Sequence, residues 1–486
     1  MDVCGKTLAL IIVVFLTMTF LSPVMTNGET ITSSGSNSDD WPMFNHDLSH
    51  TGYSSSAAPK TNQVLWTFTT GDAVETSPAV ADGIVYVGSD DGYVYALNAF
   101  NGSLVWKYNT FGPVQSSPTV VDGVVYVGGF HSHAVFALNA HTGALVWNYT
   151  TKSVYPNKIS STAVANGLVY VDVANSGFGG ILYALNASTG SLTWKYNPSA
   201  WLSSSPAVYD GKVYIGTTSE VVALDATSGK PSWSYYVTSK GPTSNGGSPI
   251  YFGASSLSIN DGLLYIGTTN QTIEAWNATT GALVWTGNIY GAVYSSTISV
   301  ANGVVYASTS WGGTMGTLQP PGVNALNAES GALLWNNSIS SIEYSSPAVA
   351  DGVVFVGSDE DVGPNMNPLS EVAKGHSVYA LDTKTGSTIW TYATGGVVQS
   401  SPAVAYGVVY VGSNDTKVYA FGSTSTTQSK TPAPSVPEFS WIAILSIFTS
   451  SLVMASLLKR RQVKRLTYFS QEAFPKNLLQ ITIGVD

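Results

Sequence analysis

The chain's stock of metal-binding and acid–base groups is small: six histidines, one cysteine and 29 acidic side chains in 486 residues. His131-Ser132-His133 has the alternate spacing that sets two imidazoles on one face of a strand, and His376 falls in the same column as His133 of a repeat that runs through the chain. Two imidazoles make an incomplete metal site, and the competing reading is a pair of solvated loop histidines. His133 and His376 belong to the second and seventh of eight units, about 135° apart on an eight-fold ring and too far to share an ion. His46, His50 and His141 find no partner in the sequence. Asp359-Glu360-Asp361 offers clustered carboxylate oxygens, with Asp359 and Asp361 as calcium candidates. It lacks the glycine and terminal glutamate of an EF-hand loop, which favours a solvated acidic loop. With Cys4 alone, no intrachain disulfide, thiolate zinc site or Cys-X-X-Cys-His haem attachment can form. No glycine-rich phosphate loop, Ser/His/Asp set or paired catalytic carboxylate stands out, so no catalytic or cofactor-binding residue is assigned.

What must position any such groups follows from composition. Hydrophobic residues make up 44% of the chain and charged ones 10%, against roughly 25% charged in an average globular protein. That balance excludes a disordered chain. Forty-eight glycines and few Lys, Glu and Arg favour strands and tight turns over helices. All three arginines (Arg460, Arg461, Arg465) lie beyond residue 459, and residues 29–438 carry 26 acidic side chains against 12 lysines. A phosphate backbone needs clustered cations, so a nucleic-acid partner is not expected.

Two apolar segments bracket the chain. Residues 1–27 read as a secretory signal or an uncleaved N-terminal anchor, with an apolar run from Leu8 to Phe20 before Pro23. Phe439 to Leu458 is 20 residues, which at ~1.5 Å per residue matches a hydrocarbon core of about 30 Å. Lys459-Arg460-Arg461 follows at once, so the positive-inside rule keeps the 459–486 tail cytoplasmic and everything before the span outside. Residues 423–438 form a Ser/Thr/Pro stalk. An extracytoplasmic address gives meaning to seven Asn-X-Ser/Thr glycosylation triplets, at Asn101, Asn148, Asn186, Asn270, Asn277, Asn336 and Asn414.

The repeat carries the fold. Ala-Leu-Asn-Ala-X-X-Gly-X-Leu-X-Trp stands at Ala96–Trp106, and close copies end at Trp147, Trp194, Trp233, Trp285, Trp335 and Trp390. Trp66 adds an eighth tryptophan. Successive spacings of 40, 41, 47, 39, 52, 50 and 55 give a basal unit of about 40 residues. Each unit opens on a Ser-Ser-Pro-Ala-Val marker followed by an Asp-Gly or similar turn. The first unit resolves into strands at Thr76–Val80, Ile84–Gly88, Tyr93–Asn98 and Ser103–Tyr108. Asp82-Gly83, Asp91-Gly92 and Asn101-Gly102 supply the positive φ that tight hairpins need. Eight four-stranded units predict an all-β, eight-bladed β-propeller over residues 63–422, preceded by a lead-in at 28–62. The last unit stops at Gly422 without its tryptophan strand, so the strand holding Trp66 should complete that blade and close the ring.

The Ala-X-Asp/Asn-X-X-Thr/Ser-Gly-X-X-X-Trp copies resemble the tryptophan-docking motif of the pyrroloquinoline quinone (PQQ) repeat family, which includes quinoprotein dehydrogenases and BamB-type assembly lipoproteins. Trp41-Pro42-Met43-Phe44 and His50-Thr51-Gly52-Tyr53 are similar to the N-terminal segment of such propellers. The resemblance implies that Trp66, Trp106, Trp147, Trp194, Trp233, Trp285, Trp335 and Trp390 pack between blades. An enzyme of the family implies PQQ with calcium, an aspartate base and a basic residue on the quinone; the propeller has no arginine and no assignable base and calcium pair, so PQQ is not expected. Pro437-Glu438-Phe439 resembles archaeal surface-sorting signals of the Pro-Glu-Phe type.

Departures from the repeat are where function should sit. Three insertions, Asp172–Gly180, Ser308–Gly322 and Asp359–Gly375, join second to third strands, and a fourth, Thr238–Gly253, joins one blade to the next. In a four-stranded meander both connections emerge on one face. Trp201, Phe252, Tyr290, Tyr294, Trp311, Glu343 and Tyr344 fall in or beside these loops and are the binding-face candidates, the alternative being loops packed by their own aromatics. The leading expectation is a monomeric, non-enzymatic binding or scaffold propeller at the cell membrane, with a protein or glycan of the envelope as partner. The alternatives are a PQQ-dependent dehydrogenase and a carbohydrate or cell-wall binding protein.

Overall fold

The structure is a computed structural model describing residues 39–151, 159–174, 179–198, 200, 202, 204–217, 220–236, 255–310, 321–339, 341–359 and 376–423. The signal segment, the stalk beyond Ser423, the 439–458 span and the basic tail lie outside the described residues, within which no helix is long and apolar enough to cross a membrane.

Runs such as Ile84–Gly88 and Val408–Ser413 are apolar without alternation because neighbours cover both their faces, whereas in outer strands such as Leu104–Asn109 only the tryptophan is buried. These strands form eight antiparallel four-stranded sheets. Blades 1 to 7 run in chain order from Ala79–Asn109 to Ala348–Ala393. Blade 8 takes three strands from Ala403–Phe421, and its outer strand is Val64–Thr69, in register from Val64 opposite Phe421 to Thr69 opposite Lys417. The ring closes as the unpaired ends require. The inner strands are shorter than expected: blade 1 begins at Ala79, because Ser77 and Pro78 belong to the connection that enters the strand. In the turns, Asp82 and Gly83 hold φ of 51° and 74°, the left-handed pair of a tight hairpin.

Adjacent blades are joined by one repeated device. The Trp147 Nε1–H donates to the Ala187 carbonyl of the next blade at 2.7 Å, and the Tyr126 hydroxyl, from the same blade as Trp147, donates to that oxygen at 3.3 Å. The same sharing joins Trp106 and Tyr86 to Ala140, Trp194 and Tyr170 to Ala226, and Trp66 and Tyr410 to Ala99. Blade 7 carries Phe355 where the others have tyrosine, and its Trp390 donates to Pro59 of the lead-in instead. Under the other seven tryptophans lies the glycine of the next blade's turn. A Cβ on Gly190 would stand 2.6 Å from the Trp147 ring, and its φ of 70° is left-handed as well. The eight tryptophans are packing elements, and the Val-Tyr-Val tyrosines are their partners.

Replacing Trp147 by alanine should lower stability by about 3–5 kcal/mol. Trp147→Phe keeps most of the packing and loses one hydrogen bond, costing about 1 kcal/mol beyond any repacking. Urea unfolding midpoints separate the two; equal losses would show that the shared carbonyl contributes nothing.

Candidate functional site in the axial channel

The lead-in closes one end of the channel. Trp41 exchanges both backbone hydrogen bonds with Val80 of blade 1. The chain then passes round the inner strands, its carbonyls taking their free N–H groups: Pro42 from Val120, Leu48 from Val208, Ser49 from Ile259, Thr51 from Val300 and Gly52 from Val349, each at 2.7 or 2.8 Å. Tyr53–Ser54 finally adds a parallel fifth strand to blade 7. Buried polar groups hold this ring together. Asn45 Nδ2 donates to the His50 carbonyl, and the His50 Nδ1 lies 3.0 Å from the Leu257 carbonyl, which requires the proton on that nitrogen. Burial drives the His50 pKa down to about 4, so the ring is neutral at physiological pH.

Among the described residues the other end is open, and the Ser-Ser-Pro marker lines it. The Ser77 N–H donates to Ser117 Oγ, and Ser117 N–H to Ser161 Oγ. Further round, Ser205 donates to Ser256, Thr297 to Ser346, Ser346 to Ser401 and Ser401 back to Ser77, at 2.8–3.2 Å. The residue before each of these hydroxyls serves its own blade: Thr76, Ser204, Ser345 and Ser400 accept from the N–H of Gly88, Gly216, Gly357 and Gly412. Above this collar is a cavity of about 220 Å³ with Phe44 of the lead-in, Glu75, Gln115, Asp172, Tyr344 and Gln399 among its walls. Gln115 Nε2 donates to Glu75 Oε2 at 3.3 Å.

Asp172 departs from the repeat. It is the fifth residue of the second strand of blade 3, Leu168–Ala174, at the position where six other blades have glycine and blade 6 has Ser308. Its N–H follows the repeat, donating to Ser160 Oγ at 3.0 Å. Its side chain is 3% exposed and neither carboxyl oxygen has a partner among the described residues. Burial pushes its pKa well above the ordinary carboxylate range, because the charged form is not solvated there. At Gly88, Gly357 and Gly412 an added Cβ would strike Val114, Val398 or Val74 within 2.5 Å, whereas at Gly216 of blade 4 the nearest atom is 3.4 Å away. Among the blades that carry glycine here, blade 4 has room for a side chain, as blades 3 and 6 have for Asp172 and Ser308. The lead-in carries recognisable motifs, Trp41-Pro42-Met43-Phe44 and His50-Thr51-Gly52-Tyr53, that do not disclose its role in the channel, and Asp172 stands out only against the glycines of the Val-Tyr-Val-Gly column.

The structure separates the other candidates. His131 and His133 do not share a strand face: both sit in the turn between Val124–Gly129 and Ala134–Asn139, where His133 has a φ of 50°. The positive φ takes the chain out of extended geometry, so the alternate spacing no longer aligns the rings. His133 and His376 do occupy equivalent places, their carbonyls accepting from Thr151 and Thr394. Asp359 gives one carboxyl oxygen to the Glu343 N–H, and burial raises its pKa to about 6. Glu360 and Asp361 lie outside the described residues, as do Trp201, Phe252 and Trp311. Tyr344 borders the cavity; Tyr290, Tyr294 and Glu343 lie in the same class of connection without lining it. Asn101, Asn148 and Asn336 are exposed, and the other four glycosylation candidates are half-buried.

A PQQ–calcium pair does not fit the described residues. The quinone is a tricarboxylate, yet the described lining offers Glu75 and Asp172 and no lysine or arginine. Among the described residues no three His, Cys, Asp or Glu side chains converge as metal ligands.

Eight blades, joined at seven interfaces by tryptophan on glycine and at the eighth by Trp390 on the lead-in, around a channel closed at one end, define a tryptophan-docked β-propeller. The family described as outer membrane protein assembly factor BamB matches residues 54–172, 153–315 and 321–430, and the chain belongs to it. Among solved structures, BamB from Moraxella catarrhalis is 20% identical, with a TM-score of 0.58 over 74% of this chain and 99% of that one. The quinohemoprotein alcohol dehydrogenase ADHIIG from Pseudomonas putida HK5 is 17% identical, with a TM-score of 0.64 over 82% of each chain. At such identities the likeness shows the fold. Tetrathionate hydrolase of Acidithiobacillus ferrooxidans is 26% identical over 401 residues, 78% of this chain; the chain spans 60% of that relative's length.

Because His50 has a lower pKa folded than unfolded, its contribution to stability is complete above about pH 6.5 and declines as pH falls toward 4, where the unfolded chain takes up a proton that the folded one refuses. The wild type should lose up to about 3 kcal/mol over that window relative to His50→Gln. Unfolding free energies at four pH values check this, and parallel profiles would contradict it.

Proposed function

We propose that the protein is a membrane-anchored, extracytoplasmic propeller that acts as a non-enzymatic binding or scaffold module, with the open mouth of the channel as its binding face. One observation carries the reading: the lead-in occupies the opposite end of the channel, while all four insertions belong to connections on the open side. Tyr290, Tyr294, Glu343 and Tyr344 belong to that side, and Trp201, Phe252 and Trp311 join them on sequence grounds. Membership of a family described by an assembly factor supports a binding role. The apolar 439–458 segment followed by Lys459-Arg460-Arg461 supports an anchor with its tail in the cytoplasm, and residues 1–27 support export. The Pro437-Glu438-Phe439 lead supports an archaeal-type surface protein whose C-terminus a sorting enzyme recognises. The partner is a protein or glycan of the cell envelope, bound by a monomeric propeller without PQQ. Tetrathionate is a dianion for which the described lining supplies no cation, so its hydrolysis is not part of the proposal.

The test pairs two measurements on the purified chain. Cross-linking in native envelope should yield a partner that is lost on Tyr344→Ala, or a glycan-array signal lost on Trp311→Ala. Addition of PQQ and calcium should give neither cofactor absorbance nor dye reduction; stoichiometric binding with turnover would overturn the reading.

A further inference from the structure

We propose that the channel mouth holds a primary ammonium group, of a small free amine or of a lysine side chain on a docked partner, with Asp172 as its counter-ion. The inference deepens the binding-module reading and rests on it.

Four observations converge. Asp172 is a buried carboxyl with both oxygens unpartnered among the described residues, at a place where the repeat supplies glycine. A buried polar group without a partner costs a protein of order 1–3 kcal/mol, so such a group calls for an occupant that satisfies it. The charge of the cavity selects the occupant. Its described walls carry Asp172 and Glu75 and no cation, so an anion is repelled, and the absence of a converging ligand set among the described residues disfavours a metal ion. An ammonium group needs about three acceptors. A turn of the Asp172 side chain toward the cavity it borders would offer two oxygens, which are shielded in the resting conformation, and the Ser161 hydroxyl of the same wall, which already accepts one N–H, keeps a second lone pair. Finally, Phe44 below and Tyr344 at the rim present aromatic rings to the same cavity, the surroundings in which alkylammonium ions are held by ring faces. The volume of about 220 Å³ accommodates a four- or five-carbon chain behind the charge. Burial raises the Asp172 pKa, so an arriving ammonium ion favours the charged carboxylate and the pair forms between charges that are both shielded from water.

The experiment titrates the full chain in detergent with 1,4-diaminobutane, with 1,4-butanediol as a neutral probe of equal length, and with a lysine-containing peptide beside its acetyl-lysine form, all by calorimetry. The diamine should bind with one-to-one saturation and the diol should not. Asp172→Asn and Asp172→Gly should weaken diamine binding by about tenfold or more, the loss expected when one partner of a buried charge pair is removed. The glycine variant restores what six other blades carry, so its unfolding temperature should match or exceed that of the wild type. Preference for the free amine or for the peptide assigns the source of the ammonium group. Equal binding of diol and diamine, absence of binding by either amine, or full binding by folded Asp172→Gly would overturn the proposal. Envelope partner capture that survives Asp172→Gly leaves the binding-module reading standing when the ammonium site falls, so the two fail separately.

Discussion

The structure depends on one backbone carbonyl per blade. A tryptophan and a tyrosine from one blade donate to the same oxygen in the next, and the tryptophan ring lies on that blade's turn glycine. Such an oxygen, buried between sheets, would be costly to leave unpaired, and two donors converging on it fix the spacing of blades as well as their attachment. Each unit touches only its neighbours, so a propeller of this kind is stable only when the last interface is made. Here Trp390 of blade 7 finds Pro59, and Val64–Thr69 completes blade 8, so the N-terminal segment supplies both halves of the final joint.

The same segment decides which end of the channel can work. A closed ring of inner strands leaves a circle of backbone groups at the axis, and at one end the lead-in takes them up carbonyl by carbonyl. At the other end the circle is satisfied by serine hydroxyls, each accepting from the preceding blade and leaving a polar collar around open space. A ring so built is indifferent to the side chains above the collar. Function can then be placed there by exchanging single residues, as Asp172 is exchanged for glycine, without disturbing the backbone pattern that Ser160 continues to serve.

The fold was largely legible because its determinants repeat. Seven tryptophans each four residues after the glycine of an Asn/Thr/Ser-Gly turn, an eighth at Trp66, and two incomplete end units leave little besides a closed eight-bladed ring. The Ser-Ser-Pro marker was visible, but its purpose was not, since a hydroxyl that bonds the neighbouring blade has no signature in its own unit. His50 and the lead-in were opaque for a related reason: their partners, Leu257 among them, lie some two hundred residues away. The His131-Ser132-His133 spacing misled because alternation aligns side chains only in extended backbone, and His133 is left-handed. Asp172 stands at the edge of an insertion, and only a residue-by-residue alignment of the second strands sets it against glycine.

Hydrogen exchange of the backbone amides tests most directly the claim that the lead-in seals one end of the channel. Val120, Val208, Ile259, Val300 and Val349 donate to it, so their amides should exchange as slowly as those of the central strands, and should become fast when residues 41–54 are removed while the central strands stay protected. Rapid exchange at these five positions in the intact chain would mean that both ends of the channel are open, and the assignment of a single binding face would fall with it.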